Sequence, residues 1–233
     1  ERSRGLGDVY KRQGDTPDKE VANIVSKAKD ASEIEGKEVV TTLKNDFYRG
    51  ANAGAETGSN RGTESSLNSM IADATLYGVN KLTDLKADLG VMNAGGVRED
   101  LASGDVTFAE AFKVQPFGNS LGVVEITGEQ LKQALEQQWK PGQDRPMLAL
   151  GLSENVQYAY DPDAEHGKHI TYVSVNGEPL DPNKKYRVAG SSFLLTGGDS
   201  FDAFAEGEFQ DAGQMDIDVF NRCLLYTSDA ADE

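Results

Sequence analysis

Apolar residues recur along this chain in two rhythms, and the rhythm changes several times. Between residues 14 and 32, Val21, Ile24, Val25 and Ala28 fall three and four apart, which places them on one face of a helix. Thr16 stands where a cap is needed and Pro17 suits a first turn, so a helix over Gly14–Ser32 is expected. After a turn at Gly36, Val39–Leu43 reads as a strand. Residues 50–62 (GANAGAETGSNRG) are glycine-rich and polar, a loop with one cation, Arg61. Thr63 is expected to open a second helix, in which Leu67, Met70, Ile71 and Ala74 keep helical spacing. Leu89–Met92 is a short apolar strand. Thr107–Glu110 and Thr127–Gln130 both carry the capping-box pattern and mark two further helix starts. The first of these helices ends before Pro116, and Leu131, Ala134 and Leu135 line the second. Ser120–Ile126 lies between them as a strand. From Val156 onward the pattern turns to strands at 156–160, 170–175 and 186–190, with Asn176-Gly177 as a hairpin turn.

Helices and strands therefore interleave, several strands are adjacent, and no segment repeats. The expected class is α+β: a single compact domain of mixed sheet with packed helices over residues 36–222, preceded by a helix over 14–35. Segments 141–146 and 161–168 read as surface loops.

The two ends change what composition can be used for. Codons GTG TAT AAG AGA CAG encode the Val-Tyr-Lys-Arg-Gln run at residues 9–13. The reverse complement of that DNA, in another frame, encodes the Cys-Leu-Leu-Tyr-Thr run at 223–227. One short element read from opposite strands explains both, and it resembles a sequencing-adaptor end. Residues 1–13 and 223–233 are thus expected to be non-native tails, with Arg222 a hybrid codon, and are left out of the fold reading. The only cysteine, Cys223, falls in a tail, so no disulfide framework or thiol chemistry is expected. The net charge of −16 becomes −15 without the tails, which carry four basic and five acidic residues. Such a surface repels nucleic acid and anionic membranes, and no run is long and apolar enough to span one. A phosphate-bearing ligand would have to be drawn in by a few local arginines.

Three glycine-containing segments can supply that chemistry. Asn93-Ala-Gly-Gly-Val-Arg98 ends a strand in a turn presenting an amide and a guanidinium. Gln115-Pro-Phe-Gly-Asn119 sets an aromatic ring beside an amide. Phe193-Leu-Leu-Thr-Gly-Gly-Asp199-Ser-Phe201 flanks a Gly-Gly turn with a ring and a carboxylate. Rings stack on a base, a carboxylate accepts from ribose hydroxyls, and arginine meets phosphate. His166 and His169, in HGKH, have poor spacing for a metal cluster and read as a hairpin loop.

Taken in order, NAGGVR, PFGN and FLLTGGDSF resemble the C-terminal domain of the bacterial and animal 5'-nucleotidase family, which includes periplasmic UDP-sugar hydrolases. The resemblance runs from about Gly36 to Phe209 and takes in the helix ESSLNSMIADA. It implies a substrate-binding domain in which Phe117 and Phe193 sandwich the base and Asp199 accepts from the ribose. Asn93, Arg98 and Asn119 would be polar contacts, and Arg61 a second phosphate-holding arginine. Two departures are visible: Ala94 replaces a glycine of the NGGGIR form, and Ser200-Phe201 replaces Gly-Tyr. The resemblance also implies that 14–35 is an interdomain linker helix about which the domains rotate. A missing N-terminal metallophosphatase domain would hold two divalent metal ions, and no cofactor is expected in this chain. The parent is expected to be an extracellular, periplasmic or cell-wall 5'-nucleotidase acting on nucleoside monophosphates. UDP-sugar, 2',3'-cyclic nucleotide or NAD hydrolysis, or a non-catalytic nucleotide-binding surface module, are the alternatives.

Overall fold

The computed structural model describes residues 18–229. Its first element is helix α1 (Lys19–Glu35), and Asp18 Oδ1 caps it by accepting from the Glu20 and Val21 N–H groups at 2.9 and 3.2 Å. The expected start at Gly14, with Thr16 and Pro17, lies outside the described residues. Val21, Ile24 and Val25 do fall on one face, and all three are exposed.

Strand β1 (Val39–Leu43) pairs antiparallel with β3 (Gly104–Thr107). Helix α2 (Ser66–Leu82) begins three residues later than the sequence suggests. Ser65, not Thr63, takes the cap position and accepts from Asn68 N–H, while the Thr63 hydroxyl donates to loop carbonyls of Ala51 and Asn60. Both predicted capping boxes form, at α3 (Phe108–Val114) and α4 (Gly128–Glu136).

The centre is a mixed five-stranded sheet of β2 (Leu89–Asn93), β4 (Ser120–Thr127), β5 (Leu150–Leu152), β9 (Lys185–Ser191) and β10 (Gln210–Met215). Their order across the sheet is β10-β4-β9-β2-β5. Side chains alternate across this sheet and feed two cores. Leu121, Val123, Ala189 and Met92 face α2 and α6 (Asp216–Asp229). Leu89, Val91, Val124, Ile126 and Val188 face α4, the short α5 (Ser192–Leu195) and a three-stranded sheet. That sheet consists of β6 (Val156–Tyr160), β7 (Ile170–Val175) and β8 (Glu178–Pro179). Asn176 and Gly177 take φ of 56° and 79° between β7 and β8, the left-handed pair that an Asn-Gly hairpin turn requires. The architecture is the expected α+β one.

Helix α6 runs on through Asp229, and its Cys223 and Leu224 are buried in the core. The Cys223 thiol donates to Ala74 O at 3.4 Å, and Leu224 O accepts from the Thr41 hydroxyl at 2.9 Å.

Candidate functional site

Register in the central sheet decides which segments meet. Parallel pairing sets Leu89 beside Val188, so β2 and β9 end together, at Asn93 and Ser191. Antiparallel pairing of Leu121 with Ser191 brings the start of β4, and hence Phe117–Asn119, to the same end. Pairing of Asn93 with Leu150 adds the segment before β5. One end of the sheet thus collects all three glycine-containing segments, though they lie far apart in sequence. Loops at the ends of strands can carry polar groups without breaking the ladder.

Asp199 stands at the centre. Its carboxylate Oδ2 accepts from Asn93 Nδ2 at 2.8 Å. The backbone of Asp199 and Ser200 is left-handed, with φ of 55° and 60°, a conformation that costs a non-glycine residue about 1 kcal/mol or more. Gly95 lies against this carboxylate. A Cβ added there would sit 3.0 Å from Asp199 Oδ2 and 3.2 Å from an Arg61 guanidinium nitrogen. The absence of a side chain at 95 lets the backbone approach both groups. Gly198 has a similar role toward Phe193, because an added Cβ would come within 2.6 Å of the ring. The Phe193 ring therefore lies over the Gly198 backbone, supported on one side and 46% exposed. Phe117 is 53% exposed, with the Arg98 guanidinium carbon 5.8 Å from its ring centroid. Two large exposed rings at this end of the sheet offer an apolar contact surface.

Beside this lies a cleft of about 220 Å³ lined by Arg49, Arg61, Arg98, Arg145, Asn60 and Asn68. A wider trough of about 570 Å³ shares Ser59, Asn60, Arg61 and Arg145 with it. Arg49 is neutralised by Asp100, whose Oδ1 lies 3.0 Å from its Nε. Arg61, Arg98 and Arg145 form no ion pair among the described residues. Partial burial, then repulsion from Arg145 and Arg98, pushes the Arg61 pKa down, and Asp199 partly opposes this. Three guanidinium groups thus meet in a chain of net charge −16. Such a cluster is a docking point for anionic oxygens.

Of the sequence-predicted residues, Arg61, Asn93, Arg98, Phe117, Phe193 and Asp199 all lie on this end of the domain. Asn119 does too, but its side chain is engaged: Nδ2 donates to Asp216 Oδ2 at 3.0 Å, tying the start of β4 to the start of α6. Burial raises the Asp216 pKa, against the Asn119 and Ile217 hydrogen bonds that lower it. Two residues escaped the sequence reading. Arg145 sits in a segment read only as surface loop, and nothing local signals that this loop folds back on residues 59–62. Lys140 looks like a solvated lysine beyond a helix end but is buried behind Asp199.

No three histidine, cysteine, aspartate or glutamate side chains gather as a metal-ligand set among the described residues. The residues present do not fit a dimetal centre. His169 stacks flat on Trp139 with ring centroids 4.2 Å apart and points Nδ1 at Glu136 Oε2, 3.2 Å away. It belongs to the β6–β7 hairpin, as its sequence position suggests.

The family model for the 5'-nucleotidase C-terminal domain matches residues 39–206. A cell wall protein of Listeria monocytogenes, Lmo0130, is 32% identical over 222 residues, covering 91% of this chain and 27% of that protein. A protein UshA of Salmonella pullorum is 40% identical over 118 residues, covering 49% of this chain and 20% of that one. Among solved structures, a 5'-nucleotidase precursor from Thermus thermophilus superposes with a TM-score of 0.70 at 27% identity, covering 88% of this chain and 39% of that chain. The chain thus spans well under half the length of these relatives.

Proposed function

The chain belongs to the 5'-nucleotidase C-terminal domain family, and on that premise we propose that it is the nucleotide-gripping half of a secreted 5'-nucleotidase. The base is held between Phe117 and Phe193, and the ribose hydroxyls donate to Asp199, which Asn93 fixes from behind. Arg61 and Arg98 meet the phosphate, with Arg145 as a third guanidinium. Asn119, its amide nitrogen committed to Asp216, is left with its carbonyl oxygen to face the ligand. The observation that carries this reading is the 2.8 Å Asn93–Asp199 contact beside a cleft to which Arg61, Arg98 and Arg145 bring three guanidinium groups with no ion pair among the described residues. An oriented carboxylate and a cationic cleft side by side match the two polar ends of a nucleotide.

In the whole protein, two divalent metals in an N-terminal metallophosphatase domain would activate water and hydrolyse the phosphate monoester. The residues of this chain bind and orient the substrate, a contribution that can be worth several kcal/mol of the barrier. The exposed Val21, Ile24 and Val25 face supports α1 as the linker on which the domains turn. A cell-wall or other extracellular location is supported by the likeness to the Listeria cell wall protein. No helix among the described residues is long and apolar enough to cross a membrane.

Isothermal titration of the chain with adenosine and AMP tests the grip. Phe193→Ala is expected to weaken both by about 10- to 100-fold, since base–aromatic stacking is worth about 1–3 kcal/mol. Equal affinity of variant and parent would reject the stacking role. The chain alone is expected to release no phosphate from AMP with added divalent metal, and turnover would show that the division of labour is wrong.

A further inference from the structure

Behind Asp199 stands a group that a phosphate or base contact does not explain. Lys140 lies just past the end of α4, its backbone N–H donating to Pro146 O at 2.7 Å, and its side chain is 5% exposed. A lysine so buried needs partners for its ammonium. It has two: Nζ donates to Ser200 O at 3.1 Å, and it lies 4.3 Å from the centroid of the buried Phe201 ring. No acid forms an ion pair with it among the described residues. Burial lowers its pKa, while the charges of Asp199 and Asp202 pull it back up. The neighbouring Gln137 Oε1 accepts from Ala203 N–H at 3.1 Å, so the end of α4 grips the 199–203 turn at two points.

The turn needs such a grip. Asp199 and Ser200 both occupy left-handed backbone, which glycine takes freely and other residues resist. Two such residues in a row would relax if nothing held the peptide that follows. The Asp199 carboxylate would then swing away from Asn93.

We propose that Lys140 is a positioning residue for the ribose contact: its ammonium holds the Ser200 carbonyl and so keeps Asp199 aimed at the 2'- and 3'-hydroxyls. Ser200, with Phe201 beneath the ammonium, is viable in this chain because Lys140 holds the turn. The inference rests on the nucleotide-binding reading for the ribose, but the buttress itself is a property of the apo domain and can be tested without ligand.

The experiment compares Lys140→Met, Ser200→Gly and the double variant of the full chain. In thermal melts, Lys140→Met is expected to lower Tm by about 4 °C or more. In the Ser200→Gly background, where the turn needs less support, the same change should cost much less. Additive effects would overturn the buttress. In parallel, titration with adenosine and 2',3'-dideoxyadenosine reads ribose recognition. The parent should favour adenosine by about tenfold or more, as expected for hydrogen bonds to a carboxylate. Lys140→Met should erase most of that ratio while leaving dideoxyadenosine affinity unchanged, and the double variant should regain it. An unchanged ratio in Lys140→Met overturns the positioning role even if the variant is less stable. Failure of the parent to bind either nucleoside would overturn the ribose role together with the nucleotide-binding reading, leaving the melts to decide the buttress alone.

Discussion

On the proposed ribose side of the candidate site, the polar groups are already satisfied before a ligand arrives. Asp199 accepts from Asn93, Lys140 holds the next carbonyl, and Phe193 rests on the Gly198 backbone. On the proposed phosphate side the reverse holds. Arg61, Arg98 and Arg145 come from three separate segments and form no ion pair among the described residues, and burial together with repulsion from Arg145 and Arg98 pushes the Arg61 pKa down, with Asp199 only partly opposing it. The first region costs folding energy and gains precision. The second leaves electrostatic repulsion unrelieved until an anion enters, so the binding of phosphate also removes a local penalty. Preorganised sites lose little on binding, whereas a frustrated cation cluster gains more from its ligand than its contacts alone suggest.

The sharpest way to break this contrast is at Asp199. Asp199→Asn should weaken adenosine and AMP alike by about 10- to 100-fold, because charge-assisted hydrogen bonds are worth about 1.5–3 kcal/mol. A loss confined to AMP would mean that Asp199 serves the phosphate side. Arg61→Ala or Arg98→Ala should cost AMP about tenfold with adenosine unchanged, and the AMP affinity should lose part of its salt dependence. A matching loss for adenosine would place these arginines on the base. The smallest expected effect is at Arg145, on an exposed loop, where Arg145→Ala should cost AMP about two- to threefold. The contrast also predicts opposite signs in the apo protein. The Tm of Arg61→Ala should be unchanged or higher, since repulsion is relieved, and that of Asp199→Asn should be lower. A clear fall for Arg61→Ala would show that the cluster is not frustrated.

Much of this was legible in the sequence where the determinant is local. Both capping boxes formed as written, because a hydroxyl and an acceptor three residues later satisfy each other's backbone without help. The Asn-Gly turn and the strands at 156–160 and 170–175 followed from alternation and turn chemistry. Strand β10, with the sequence QDAGQM, was missed because it is polar and lies on the sheet edge, where only its pairing to β4 defines it. At the site, motif residues could be named, but partnerships could not. Asn93 and Asp199 are 106 positions apart, and Asn119 and Asp216 are 97 apart. Nothing near Asn119 announces that a helix start will take its amide. Arg145 and Lys140 acquire their roles only when a loop and a helix end fold onto distant turns.

Helix α6 carries the chain's single thiol to the seam with α2, with Cys223 donating to Ala74 O and burial raising its pKa to about 11. A thiol held protonated and out of solvent is chemically silent. It can react with an alkylating reagent only when α6 lifts away, so at saturating reagent the labelling rate counts spontaneous openings of this seam. The molecule therefore carries its own stopwatch for local unfolding. Ligand-induced slowing of that stopwatch would measure how far order spreads from the site through the sheet.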